Sequence, residues 1–205
     1  IRSYANQTLP PQPQLIIVAG PNGAGKSTYS RESFVSGFLW LDPDRYGLHP
    51  DAEDPIAAGR LVLGRVYTAL LNREDFVLET TLSGKFPLKV LDAAKSAGYF
   101  ITLLYVGLED AEECIRRVRQ RVAAGGHDVP ENDIRRRFVR SINALPQAID
   151  LADRVTIHDN GRDGPYRLIA QSDDFVTSTV ATDVPVWAQD AVAALERRCK
   201  GARRS

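Results

Sequence analysis

The chain has 205 residues, 43% of them hydrophobic, enough for one domain with a sizeable core. Lys plus Arg and Asp plus Glu both number 26, so no net field draws the molecule to nucleic acid or to a membrane, and anions must be bound by local clusters. Apolar runs fall well short of the ~20 residues needed to cross a bilayer, and the two cysteines, Cys114 and Cys199, lack CxxC or metal-ligand spacing. The expectation is a soluble, cytoplasmic protein without nucleic-acid or membrane partners.

Residues 1–14 read as a polar N-terminal arm, because Pro10, Pro11 and Pro13 oppose both helix and ladder pairing. Leu15 to Ala19 is a short apolar run, rich in β-branched residues, that stops at Gly20; buried parallel strands read this way. A helix is expected from about Lys26. Phe38 to Leu41, Phe76 to Leu78 and Tyr99 to Val106 repeat the buried-strand pattern with room for helical crossovers between them. The predicted class is therefore α/β, with a mainly parallel central sheet flanked by helices. Arg154 to His158 predicts another strand, and the turn signal Asn160 to Pro165 leads into Tyr166 to Ala170, a hairpin edge strand. These boundaries predict a core domain over 15–171 and a C-terminal extension over 172–205, with a terminal helix from Pro185 to Cys199.

Gly20-Pro21-Asn22-Gly23-Ala24-Gly25-Lys26-Ser27, followed by Thr28, matches G-x4-G-K-[ST] between a predicted strand and a predicted helix. The glycines let the backbone curl until successive N–H groups face phosphate oxygens, and the helix N-terminus adds partial positive charge. In this P-loop Lys26 neutralises the β and γ phosphates of ATP or GTP, and Ser27 offers an oxygen to Mg²⁺.

A phosphate loop alone does not identify the acceptor. Leu41-Asp42-Pro43-Asp44-Arg45 sets two carboxylates at the carboxyl end of a parallel strand, where open α/β sheets form ligand crevices. Asp44 is the candidate general base and Asp42 a metal-side or structural group; the competing reading makes Asp42 a turn residue and Asp44 a helix cap. Glu79, with Thr80 after it, closes the third strand and points to substrate or to metal-bound water, unless it is a simple cap. Ala111, Ile115, Val118 and Val122 recur at helical spacing, which leaves Arg117 and Arg121 on another face. Beyond Gly125-Gly126-His127 a second amphipathic helix carries Ile134, Phe138, Ile142 and Leu145 inward, with Arg135, Arg136, Arg137 and Arg140 around it. Two arginine-bearing helices on a glycine hinge make a lid over a triphosphate, or else a solvated face of ion pairs. RNA binding by this patch is disfavoured by the missing aromatic residues.

Taken together these motifs resemble the zeta-toxin-like kinases, especially the shorter members. The match runs in order through Gly20 to Thr28, Asp42 to Asp44 with His49-Pro50, Leu78 to Gly84, Gly125 to Pro130 and Ile134 to Ser141. The resemblance implies a helical lid on a nucleoside-kinase-like fold and phosphorylation of a nucleotide-activated amino sugar, UDP-N-acetylglucosamine, on a sugar hydroxyl. It also implies an antitoxin protein that blocks the nucleotide site in larger members. By position, Lys26 is the phosphate-binding lysine, Asp44 the base, Glu79 a substrate-side carboxylate and Arg121 a lid arginine. Larger members carry a second lid arginine before the connecting proline; here that stretch is Gly-Gly-His, and Arg136 or Arg137 takes its place. Other readings are a kinase of another hydroxyl compound, such as an antibiotic or nucleoside, and a nucleotide-dependent binding module or switch.

Overall fold

The computed structural model describes residues 12–33, 37–42, 55–161, 166–173 and 176–202, without the side chains of 31–33, 55–58, 176–179 and 202. Asp44, His49 and Pro50, most of the N-terminal arm and the Arg162 to Pro165 turn lie outside the described residues.

The chain alternates strand and helix, as the spacing of its apolar runs predicts. Strand β1 (Gln14–Ala19) leads through the glycine loop into α1 (Lys26–Ser33), then β2 (Leu39–Leu41), α2 (Pro55–Asn72), β3 (Phe76–Thr80), α3 (Lys85–Ser96) and β4 (Phe100–Gly107). Helices α4 (Ala111–Ala123) and α5 (Glu131–Leu151) follow, and then β5 (Arg154–Asp159), β6 (Arg167–Asp173), β7 (Val176–Val180), a 3₁₀ turn (Val186–Ala188) and α6 (Gln189–Ala202). The strands form one seven-stranded sheet in the order β2-β3-β1-β4-β5-β6-β7. Pairing is parallel from β2 to β5 and antiparallel from β5 through β6 to β7. Tyr166 to Ala170 was expected to bring back an edge strand; β6 does return as a hairpin partner of β5, but β7 covers its outer side and forms the edge.

Alternation along each strand decides which face a side chain takes. Leu15, Ile17, Phe76, Leu78, Ile101 and Leu103 turn to one face, where α2, α3, α5 and α6 cover them through Val66, Leu91, Ile149 and Leu195. Val18, Val77 and Leu104 turn to the other, toward Tyr29 of α1, Phe38 and Trp40. Each fully buried Leu or Ile of this kind stabilises the fold by about 1.5–3 kcal/mol. The C-terminal segment shares this core: Trp187, Ala188, Ala191 and Val192 belong to the same cluster as β1. Trp187 presses on β4 so closely that a Cβ at Gly107 would lie 2.2 Å from its ring.

β1 has β3 on one side and β4 on the other: the chain leaves β1 toward the β3 side and later crosses from β3 to the β4 side. A crevice opens outside the carboxyl end of such a strand. The glycine loop stands there.

Candidate active site

The loop begins where β1 ends. Gly20 has φ 141°, and a Cβ there would fall 2.0 Å from Val106 O, so the main chain passes β4 at a distance only glycine permits. Gly23 lies under α4, and Gly25, at φ 92°, turns the chain into α1. Ala24 N donates to Pro21 O at 3.3 Å, and Thr28 N and Tyr29 N donate to Gly25 O at 3.1 and 3.0 Å, which fixes the curl and starts the helix. Lys26 is 9% exposed and folds back over the loop, its Nζ donating to Pro21 O at 3.1 Å. Asn22 is 6% exposed, and its Oδ1 is buried without a hydrogen-bond partner. A curled glycine loop beside a buried lysine and a helix N-terminus fits a polyanionic ligand.

Ser27 Oγ donates to Glu79 Oε1 at 2.6 Å. Glu79 stands beside Val18 of β1, near the end of β3, and is 6% exposed. Glu79, expected on the substrate side, thus meets the loop serine directly. Asp42, 5% exposed, follows the last residue of β2, one position past the Leu41–Leu78 pair, as Glu79 is on β3. Two hard oxygen donors in contact, with a buried carboxylate on the next strand, suit Mg²⁺, which takes few protein ligands and shares the rest of its shell with phosphate and water. Among the described residues there is no cluster of three or more His, Cys, Asp or Glu that would hold a metal by protein ligands alone. Thr80 is occupied locally, its Oγ1 accepting from Leu82 N at 3.1 Å.

Helix α4 starts at the N-cap Asp110, whose side chain accepts from Glu113 N at 2.8 Å. Its apolar face, Cys114, Ile115 and Val118, packs with Ala24 of the loop and with Val129 and Ile134 of the α5 side. Burial pushes the Cys114 thiol up to about 12, so this cysteine stays protonated. Arg121 Nη2 donates to His127 O at 2.7 Å, and its Nε is buried without a hydrogen-bond partner. Gly126 folds against it; a Cβ there would lie 2.6 Å from Arg121 Cγ. Arg136 and Arg137 instead pair with Asp133 of their own helix, at 2.8 and 3.7 Å. The His127 side chain is exposed.

Sequence reasoning missed a set of contacts behind the loop. Asn160 Nδ2 donates to Ala24 O and Tyr166 Oη donates to Gly25 O, each at 2.9 Å. Arg117 Nη2 donates to Asn160 O at 2.6 Å while its Nε donates to Glu113 Oε1 at 2.6 Å. The bond from Arg116, reinforced by Arg117, holds the Glu113 carboxyl down to about 2. His158 lies 5.0 Å from the Tyr29 ring, and burial lowers its pKa. The only signal in the sequence was Asn-Gly at 160–161, which reads as a turn.

A family model described as Zeta toxin matches residues 2–169. A protein of Haemophilus influenzae described as uncharacterized is 30% identical over 131 residues, 62% of this chain and 94% of that one. Among solved structures, the PezAT chromosomal toxin–antitoxin system of Streptococcus pneumoniae contains a chain that aligns with a TM-score of 0.59 at 19% identity, over 96% of this chain and 89% of that chain. The AvrRxo1-ORF1:-ORF2 structure with ATP contains one with a TM-score of 0.64 at 15% identity, over 91% and 76%. At these identities the two structures speak for the fold. Among the described residues no helix is long and apolar enough to cross a membrane.

Proposed function

The chain belongs to the zeta toxin family and is a P-loop phosphotransferase, and on that premise we propose that it transfers the γ-phosphoryl group of ATP to a hydroxyl of a nucleotide-activated amino sugar such as UDP-N-acetylglucosamine. The observation that supports the phosphotransfer chemistry is the 2.6 Å contact between Ser27 Oγ and Glu79 Oε1 directly beneath the glycine loop. Support for the acceptor comes from the family motifs outside the loop, Asp42 to Asp44 and Leu78 to Gly84.

In this reading the loop from Gly20 to Thr28 holds the triphosphate by its N–H groups, and Lys26 leaves Pro21 O to neutralise phosphate charge. Ser27 and Glu79, with Asp42 at the end of the next strand, would hold Mg²⁺, which would supply positive charge against the phosphates. Asp44 takes the proton from the acceptor hydroxyl as that oxygen bonds to the γ phosphorus and the bond to ADP breaks. Arg121, with a donor still unpartnered, closes over the transferred group, and Arg136 or Arg137 assists once released from Asp133. Thr80 and the turn after it border the acceptor. An antitoxin partner belongs to the same reading, supported by the toxin–antitoxin pairing of the PezAT proteins.

The test is incubation with γ-labelled ATP, Mg²⁺ and a panel of UDP-N-acetylglucosamine, nucleosides and aminoglycosides, following label into product. Label is expected in the amino sugar, and Asp44→Asn is expected to abolish it while nucleotide still binds. Label appearing only in another compound replaces the acceptor; undiminished transfer by Asp44→Asn removes that residue from the mechanism.

A further inference from the structure

Each peptide unit of a phosphate loop carries a donor and an acceptor, so N–H groups can face the anion only if the carbonyls face away. Carbonyls turned outward need partners of their own. Here Ala24 O is caught from behind by Asn160 Nδ2 at 2.9 Å, and Gly25 O, which also accepts from Thr28 N and Tyr29 N at the head of α1, takes a further bond from Tyr166 Oη at 2.9 Å. The fit is tight enough that a Cβ on Gly25 would lie 2.7 Å from Asn160 Nδ2 and 2.9 Å from Tyr166 Oη. Glycine at 25 is demanded by the turn, at φ 92°, and a side chain there would also push both donors aside.

The two donors are themselves fixed. Asn160 N donates to Gly107 O at 3.0 Å at the end of β4, and Asn160 O accepts from Arg117 of α4 at 2.6 Å. Arg117 is oriented by Glu113, one turn earlier on the same helix. Tyr166 packs edge-on against Tyr29 at 5.1 Å and against His158 at 6.4 Å, so its hydroxyl is aimed by the ring's surroundings. A chain of contacts thus runs from the helix that bears Arg121, through Arg117 and Asn160, to the backbone that faces the phosphates.

We propose that Asn160 and Tyr166 are positioning residues of the nucleotide site, holding the phosphate loop in its anion-binding curl and, through Arg117, tying that curl to α4. This rests on the loop binding MgATP but not on the identity of the acceptor. Neither residue touches the reacting atoms; each acts through the loop carbonyls.

The experiment compares the full chain with Tyr166→Phe, Asn160→Ala and the double variant. MgATP affinity is measured by calorimetry, exchange of the 22–28 amides by deuterium labelling without nucleotide, and stability by thermal melting. Loss of one such bond is expected to weaken MgATP about five- to tenfold, and loss of both more. The loop amides should exchange faster in every variant, while KM for the acceptor stays as in the wild type. Tyr166→Phe keeps the ring packing, so it should melt close to the wild type and decides the matter even if Asn160→Ala folds poorly. Wild-type MgATP affinity in Tyr166→Phe, with unchanged loop exchange, overturns the proposal. A wild-type chain that binds no MgATP overturns the kinase reading and this inference together, whereas MgATP binding without phosphorylation of the amino sugar removes only the acceptor.

Discussion

Glu79→Gln separates the fold from the chemistry at the carboxylate that meets Ser27. The substitution keeps the shape and leaves an oxygen to accept from Ser27 Oγ, now 2.6 Å away, but removes the charge. On folding, a charge-assisted hydrogen bond becomes a neutral one, a loss of about 1 kcal/mol. The group is only 6% exposed, and burying an amide costs less than burying a carboxylate, which offsets part of that loss. A shift in melting temperature of no more than about 2–4 °C follows for a chain of this size. On metal binding there is no such offset: one unit charge about 4 Å from a single positive charge is worth about 4 kcal/mol at an effective dielectric near 20, a lower bound for a divalent ion. The expected result is a fall of about 10³ in phosphoryl transfer at limiting Mg²⁺, partly restored by raising the metal concentration. The assay is steady-state transfer across a Mg²⁺ titration, with a melting curve on the same sample. Wild-type transfer with an unmoved Mg²⁺ midpoint would refute the assignment of Ser27 and Glu79 to the metal.

Lys26→Ala should lose MgATP affinity by at least about tenfold while melting near the wild type, since Nζ donates to a neutral acceptor, Pro21 O; calorimetry reads it. Trp187→Ala removes a ring 7% exposed that packs on Gly107 and lies 5.8 Å from Tyr105, and should cost about 3–5 kcal/mol in urea unfolding. Burial lowers the His158 pKa from 6.5, so its contribution to stability is full above that value and fades as pH falls through it toward the folded pKa. Melting between pH 7.5 and 5 should therefore show a decline that His158→Phe reduces.

The phosphate loop was legible because every cause of its shape is local: five apolar residues end at Gly20, and a helix begins six residues later. The parallel half of the sheet was legible for a related reason, since strands buried on both faces are apolar throughout. The other half was harder. Val176–Val180 is interrupted by Thr and Ser and owes its place to pairing with β6, which no local pattern announces. The contacts that grip the loop were illegible on principle: Asn160 and Tyr166 lie 136 and 141 residues from the carbonyls they meet. The turn signal at Asn160-Gly161 was visible, but its partner was not. Likewise the place of Glu79 at the crevice end of its strand was expected, whereas its contact with Ser27 depends on the register of β3 beside β1.

Helix α5 is anchored unevenly. At its far end Arg198 donates to Ile149 O, Ala152 O and Asp153 O, and Leu145, Ala148 and Ile149 are locked in the core. Near that anchor Pro146 withholds one rung of the helix ladder, and at the opposite end the chain has just left Gly125 and Gly126. Any swing of the α5 arginines toward a triphosphate must therefore behave like a cantilever, bending from a bolted root while its tip carries α4 along through Ile134 and the Arg119–Glu131 pair. The root is fastened by the last helix of the chain, so clipping that helix should alter how stiffly the tip returns.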